Sequence, residues 1–289
     1  MIKIGLIGNL GSIVTHIGQL KNVKNIQLVG KSSVGMMEEP QGKYLTLPEF
    51  NRIELVETSD FLIVENSNLL LPDLIKVAIK SNKHLYITDY PLISPEQCME
   101  LLKLADEAKT MVHICNYPGS ESFTNWLNEN WKEPAYLNLF ETLPTLPDKL
   151  TYLTKYLLFA LSLFKSAPQK IRVSGIHQPD SDYYFINVRL DFPSYSTFNL
   201  EMLIQPNNSR NIKIAMPGKF LSCDLTSAKA TLNQKEITLP SSRLNPVVEL
   251  LQKHGTDNFI SESNLNLYYI TLLALRDVLR KIELFTPWK

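Results

Sequence analysis

Hydrophobic and polar positions along the N-terminal part of the chain switch repeatedly between two periods. Ile2–Ile7 is a near-continuous apolar run, the pattern of a strand buried on both faces. Ile13, Ile17 and Leu20 then recur at helical spacing. Ile26–Gly30 predicts a second strand, and Arg52–Val56 and Phe61–Val64 predict two more. Pro72–Ser81 reads as a helix with Pro72 in its first turn, where a missing N–H costs nothing. Leu85–Thr88 is the next strand. Ser94-Pro95-Glu96-Gln97 has the S-x-x-Q capping pattern, with proline at the first helical position. The helix it starts carries Cys98, Leu101, Leu102, Ala105 and Ala108 on one face. Met111–Cys115 predicts a sixth strand. Strands alternating with helices imply right-handed crossovers and a parallel sheet. This alternation ends near residue 118.

The remainder changes character. Leu150–Phe164 predicts one strongly apolar helix. Lys170–Ile176, Tyr184–Phe192, Thr197–Ile204, Asn211–Ala215, Ala228–Leu232 and Glu236–Leu239 then read as strands of an antiparallel sheet with one wet face. Leu265, Tyr268, Leu272, Leu275 and Leu279 form one stripe of a closing helix. The expected class is α/β: a parallel-sheet domain over residues 1–118 and an α/β domain with a mostly antiparallel open sheet over 119–289.

A length of 289 residues agrees with that division, at roughly 100–200 residues per domain. Lys+Arg and Asp+Glu each number 29, which argues against a nucleic-acid partner held by a basic excess. Cys98, Cys115 and Cys223 show no C-x-x-C spacing and read as separate buried thiols rather than a disulfide framework or zinc site. The longest apolar run, Tyr156–Phe164, falls short of the about 20 residues a bilayer needs. Met1-Ile2-Lys3-Ile4-Gly5 enters a strand directly, without the charged and apolar regions of a signal peptide. The expectation is a soluble, cytoplasmic protein with no membrane partner.

The candidate chemistry starts at Gly8-Asn9-Leu10-Gly11-Ser12-Ile13, between the first strand and the first helix. A dinucleotide-binding fold places its phosphate loop there. Glycines let the backbone approach the pyrophosphate, and the helix end supplies free N–H groups. The spacing departs from G-x-G-x-x-G: two residues separate Gly8 and Gly11, and Val14 stands at the third glycine position. An acid for the ribose hydroxyls, expected about 20 residues on, is missing from Leu28-Val29-Gly30-Lys31-Ser32-Ser33. Lys31, Ser32 and Ser33 suit a 2′-phosphate instead, which favours NADP over NAD. The other reading is a pocket that no longer holds a dinucleotide. Asn66, Ser67 and Asn68 follow the fourth strand, and Asn116-Tyr117-Pro118 the last, at the carboxyl edge where open α/β sheets bind ligands. The same residue types also make ordinary turns. His16 and His113 read as structural, and His177 with Asp180 and Asp182 as either a metal site or an exposed loop.

The stretch from Gly5-Leu6-Ile7-Gly8 to His16 resembles the opening of the Gfo/Idh/MocA family, the relatives of glucose–fructose oxidoreductase and inositol dehydrogenase. Lys83-His84-Leu85-Tyr86-Ile87-Thr88-Asp89-Tyr90-Pro91-Leu92 is similar to that family's segment ending in Glu-Lys-Pro. The following helix, the strand Val112–Asn116 and Gly218–Asp224 also match in order. The resemblance implies an N-terminal Rossmann domain and a C-terminal α/β domain with a large open sheet. It implies hydride transfer between NAD or NADP and a sugar, cyclitol or similar small polar substrate. It further implies a homodimer or tetramer formed through the C-terminal sheet. Asp89 would then touch cofactor, and Tyr90, Asn116 and Tyr117 substrate.

The departures fall on the chemistry. Tyr90 takes the place of the Glu-Lys-Pro lysine. Its phenol either donates a hydrogen bond, acts as an acid if its pKa falls from about 10, or packs over a vacant pocket. The family's later helix carries Asp and His about one turn apart, whereas Tyr152–Phe164 has neither. Lys155 falls near the histidine position and Leu158 near the following aspartate's. Lys155 serves acid–base chemistry only if burial lowers its pKa. Two function classes follow: an NAD(P)-dependent oxidoreductase with an atypical site, or a non-catalytic relative acting as a ligand-binding sensor or partner subunit.

Overall fold

The computed structural model describes residues 1–35, 47–69, 71–115, 121–177, 184–193, 195–239, 246–254 and 259–284. The chain forms two compact units, Met1–Cys115 with Ser242–Tyr269 and Asn116–Ser241 with Ile270–Lys289. The boundary expected at residue 118 lies outside the described residues. The stretch Ser242–Tyr269 belongs to the first unit.

In the first unit, β1 (Ile2–Asn9), β2 (Ile26–Val34), β3 (Phe61–Val64), β4 (His84–Ile87) and β5 (Val112–Ile114) form a parallel sheet in the order β2-β1-β3-β4-β5. The connections are α1 (Leu10–Leu20), α2 (Arg52–Thr58), α3 (Pro72–Lys80) and α4 (Pro95–Ala108). The direction of winding reverses between β1 and β3. At such a reversal the crevice at the carboxyl ends of the strands is the natural ligand position.

The sequence predicts a strand over Arg52–Val56, and the structure has a helix there. Asn51 Oδ1 accepts from the Glu54 N–H at 2.9 Å, while the Glu54 carboxylate accepts from the Asn51 N–H at 3.4 Å. Ile53-Glu54-Leu55-Val56 is too short to reveal a period, so this capping box decides the outcome. The turn then buries Leu55 and Val56. Asn51→Ala is expected to lower stability by about 1 kcal/mol in chemical denaturation. An unchanged midpoint would show that packing alone holds α2. The box predicted before α4 is present, with Ser94 Oγ accepting from the Gln97 N–H at 3.2 Å and Gln97 Oε1 from the Ser94 N–H at 2.8 Å.

The returning segment covers the open edge of β5. The Asn264 side chain accepts from the Ile114 N–H at 2.8 Å and donates to the Ile114 carbonyl at 2.6 Å. His113 Nδ1 meets the Glu262 carbonyl at 2.7 Å, as expected for a structural histidine. An edge paired in this way is protected from pairing with another chain.

The second unit opens with α5 (Glu121–Asn130), β6 (Tyr136–Leu143) and α6 (Lys149–Phe164). Seven strands follow: β7 (Lys170–His177), β8 (Tyr184–Asp191), β9 (Thr197–Ile204), β10 (Ser209–Met216), β11 (Lys219–Asp224), β12 (Lys229–Leu232) and β13 (Lys235–Ile237). The sheet order is β13-β12-β11-β10-β6-β9-β8-β7, antiparallel throughout except for the β6–β9 pair. α7 (Pro246–His254) lies in the returning segment, and α8 (Leu265–Ile282) closes the chain. The expected α/β architecture is therefore present. The central strand β6 escapes a sequence reading because its inward row, Leu137, Leu139 and Glu141, ends on an acid. No helix among the described residues is long and apolar enough to cross a membrane.

Candidate functional site

β1 passes into α1 with no intervening loop. Gly8 and Asn9 end the strand, and Leu10, Gly11, Ser12 and Ile13 form the first helical turn. The helix starts earlier than the spacing of Ile13, Ile17 and Leu20 predicts, because those positions mark only its buried stripe. Asn9 occupies the N-cap position in extended conformation, and its side chain caps no N–H. The early N–H groups of α1 thus lack a cap acceptor, which suits an anion.

The two glycines have different reasons to be there. A Cβ on Gly8 would stand 2.5 Å from Glu65 Cβ, so this position is small to admit the chain after β3. A Cβ on Gly11 would meet no other part of the described residues within 4 Å, so none of them fills the space over it. His16, buried on α1, pairs with Glu65.

β2 runs on through Lys31, Ser32 and Ser33. The Lys31 ammonium is buried, donating to the Leu47 carbonyl at 2.9 Å and pairing with Glu49 at 2.9 Å. The N–H and hydroxyl of Ser33 donate to the same carboxylate at 2.6 and 2.9 Å. Two of the three groups expected to receive a 2′-phosphate therefore already hold an acid. Partial burial pushes the Glu49 carboxyl up, but the Ser33 and Lys31 donors outweigh it and hold it below its ordinary range. Ser32 faces elsewhere and lines an apolar cavity of 810 Å³ with Asn51, Arg52, Ile53, Leu71 and Val77 among others.

After β3, the Ser67 N–H donates to both Asp89 oxygens at 2.9 Å. The Ser67 hydroxyl is buried and has no hydrogen-bond partner among the described residues. Asn66 Oδ1 accepts from the Asn68 N–H at 3.1 Å, so part of this stretch is turn chemistry. Burial raises the Asp89 carboxyl above its ordinary range, opposed by the Ser67 donor and assisted by Glu65. Burial also pushes the Tyr90 phenol upward, with Cys115 and Asp89 acting the same way. An acid role is favoured by the opposite shift. Asn116 and Tyr117 lie outside the described residues, as do Asp180 and Asp182. No metal-holding cluster occurs among the described residues.

In the second unit, α6 buries every residue from Tyr152 to Phe164 except Lys155. The Lys155 ammonium sits 5.0 Å from the centroid of the Tyr156 ring. The Tyr156 hydroxyl donates to Glu141 Oε2 at 2.5 Å, and Arg210 Nε donates to Glu141 Oε1 at 2.7 Å. Arg210 Nη2 lies 2.6 Å from the same oxygen, and Glu141 is 1% exposed. Tyr152 packs edge-on to Tyr156 at 4.9 Å. Burial lowers the proton affinity of Lys155, Arg210 lowers it further, and Glu141 opposes both. Lys155 thus meets the condition its sequence position set, and Tyr90 does not.

No family model matches the chain, and no curated protein matches it in sequence. Solved structures do. UDP-N-acetylglucosamine 3-dehydrogenase GnnA from Acidithiobacillus ferrooxidans superposes with a TM-score of 0.76 at 15% identity, over 98% of each chain. The chain has the Gfo/Idh/MocA fold. Biliverdin reductase from Synechocystis sp. PCC 6803, solved with biliverdin and NADP+, shares it at a TM-score of 0.70 and 16% identity, over 97% of this chain and 98% of that one. A dehydrogenase (MviM) from Clostridium difficile gives a TM-score of 0.68 at 16% identity, over 98% and 99%. At such identities the likeness is one of fold, and site chemistry must come from this chain's own residues.

On this Gfo/Idh/MocA fold, the structure brings Gly8–Ile13 to the crevice where β1 and β3 diverge, with Asn66–Asn68 and Asp89 at the ends of the neighbouring strands. Sequence reasoning missed three charged groups. Glu49 brings a carboxylate to Lys31 and Ser33 on β2. Glu141 and Arg210 face each other across the β6–β10 pair. An acid on the inward row of a strand, with an arginine on another strand, was the only signal available for that pair.

Proposed function

We propose that the chain is an NAD(P)-dependent oxidoreductase of the Gfo/Idh/MocA type acting on a sugar, cyclitol or similar small polar substrate. The observation that carries this reading is the uncapped first turn of α1 at the β1–β3 reversal, open above Gly11. The residues present fit a dinucleotide. The first-turn N–H groups suit a pyrophosphate, and the orphaned Ser67 hydroxyl offers a donor after β3. The apolar cavity beside Ser32 suits a flat base. Glu49 stands by the end of β2, where a carboxylate hydrogen-bonds ribose hydroxyls and repels a 2′-phosphate. That turns the preference expected from Lys31, Ser32 and Ser33 from NADP to NAD.

The chemistry a bound nicotinamide supplies is hydride exchange with a carbinol carbon of the substrate. Lys155 would act from its ammonium form, hydrogen-bonding the substrate oxygen and giving it a proton during reduction. Burial and the Arg210 charge lower its proton affinity, which favours that donation. Tyr90 contributes a neutral hydrogen bond or a packing face. Pairing through the open C-terminal sheet into a homodimer or tetramer remains part of this reading.

The test is a screen of sugars and cyclitols with nicotinamide cofactor, followed by Lys155→Met. Turnover is expected to fall about 10²- to 10⁴-fold with dinucleotide affinity unchanged. A variant that keeps its turnover would remove Lys155 from the proton path.

A further inference from the structure

Two cations and one carboxylate make up the charged cluster on α6, β6 and β10. Glu141 is taken up by Arg210 through two nitrogens and by the Tyr156 hydroxyl. Lys155 has no carboxylate within ion-pair distance among the described residues; its recorded neighbour is the Tyr156 ring. The formal balance of the cluster is one positive charge in excess. Lys155 also provides the single break in an otherwise buried helical run.

A half-buried cation loses hydration, and here it gains in return the Tyr156 ring face and the attraction of a Glu141 carboxylate already held by Arg210. An incoming anion would supply the missing counter-charge, with Arg210 adding to the attraction from beside Glu141. A neutral or cationic ligand of the same shape would not. The Tyr156 hydroxyl is committed to Glu141, which fixes its ring under the ammonium and holds Lys155 in place.

We infer that Lys155, assisted by the charge of Arg210 on the neighbouring Glu141, forms a subsite for an oxyanion carried by the substrate, a carboxylate or a phosphate. This rests on the reading that Lys155 meets the substrate. It narrows the substrate class from polar alcohols in general to acidic ones, such as hydroxy acids, sugar acids or sugar phosphates.

The experiment compares four probes built on one ring, glucuronate, glucose 6-phosphate, glucose and glucosamine, at constant ionic strength. Binding is read by thermal shift and calorimetry on the whole chain. At least one of the two anions is expected to bind more tightly than glucose and glucosamine, and which one does so identifies the oxyanion. Lys155→Met should weaken that anion about tenfold or more, while Lys155→Arg should keep most of its affinity. Equal binding of anionic and neutral probes would overturn the subsite. So would undiminished anion binding by Lys155→Met, or no binding of either anion. A parallel titration with NAD separates the two readings. Anion binding that depends on Lys155 without any dinucleotide binding would sink hydride transfer and leave the subsite standing. Dinucleotide binding without anion preference would do the reverse.

Discussion

Glu141→Ala is expected to destabilise the chain by about 3 kcal/mol, among the larger effects a single substitution can have. Glu141 is almost fully buried and satisfies the Arg210 guanidinium and the Tyr156 hydroxyl together. Removing it takes from Arg210 and the Tyr156 hydroxyl the buried acceptor they share. The loss of two partners costs more than the pair itself contributes, because desolvation stays uncompensated. The Arg210 side chain is 28% exposed, so water relieves part of the penalty and the figure sits at the low end for buried pairs. Chemical denaturation followed by circular dichroism measures it. A change below about 0.5 kcal/mol, ordinary for a surface substitution, would show that Glu141 is not the anchor of this cluster.

Gly11→Val is expected to separate folding from cofactor binding. Among the described residues, chain neighbours and the helix's own backbone aside, no atom lies within 4 Å of the position a Cβ would take, so the substitution introduces no clash there. Gly11 is in the first turn of α1, and valine has at least as high a helix propensity as glycine. Stability should therefore hold or rise slightly. The branched side chain would nevertheless cover the N–H groups that meet the pyrophosphate. Losing one or two charge-assisted hydrogen bonds weakens dinucleotide affinity about tenfold to a hundredfold. Unchanged affinity would remove the first turn of α1 from the cofactor site. Gly8 cannot serve the same test, because its Cβ would strike Glu65 and disturb the sheet.

What the sequence reveals of this fold follows the reach of its signals. β1 is legible because a strand buried on both faces is apolar without interruption, and α4 because its cap and stripe agree. α6 is legible because an apolar run of that length can only be a buried helix. The misread strand at Arg52–Val56 hides a cap in Asn51, a residue outside the run. β6 is hidden by Glu141, whose burial makes sense only once Arg210 lies opposite. Lys31 looks available on paper because its partner Glu49 is distant in the chain and belongs to no periodic element. The same holds for the segment that returns to cover β5, since Ser263 and Asn264 carry no pattern that points to residues 112–114. Local periodicity thus reports elements. Charged partners brought together from distant strands, which decide the site, leave no mark on it.

The most direct test of the account is a calorimetric and thermal-shift titration with NAD, NADH, NADP and NADPH. A ligand that binds only the folded state raises apparent stability by RT ln(1 + [L]/Kd), about 2.7 kcal/mol at a hundredfold excess over Kd. The account predicts clear stabilisation by NAD or NADH, and weaker stabilisation by the phosphorylated pair because of Glu49. No shift with any of the four at millimolar concentration would contradict it and leave a ligand-binding protein without redox chemistry.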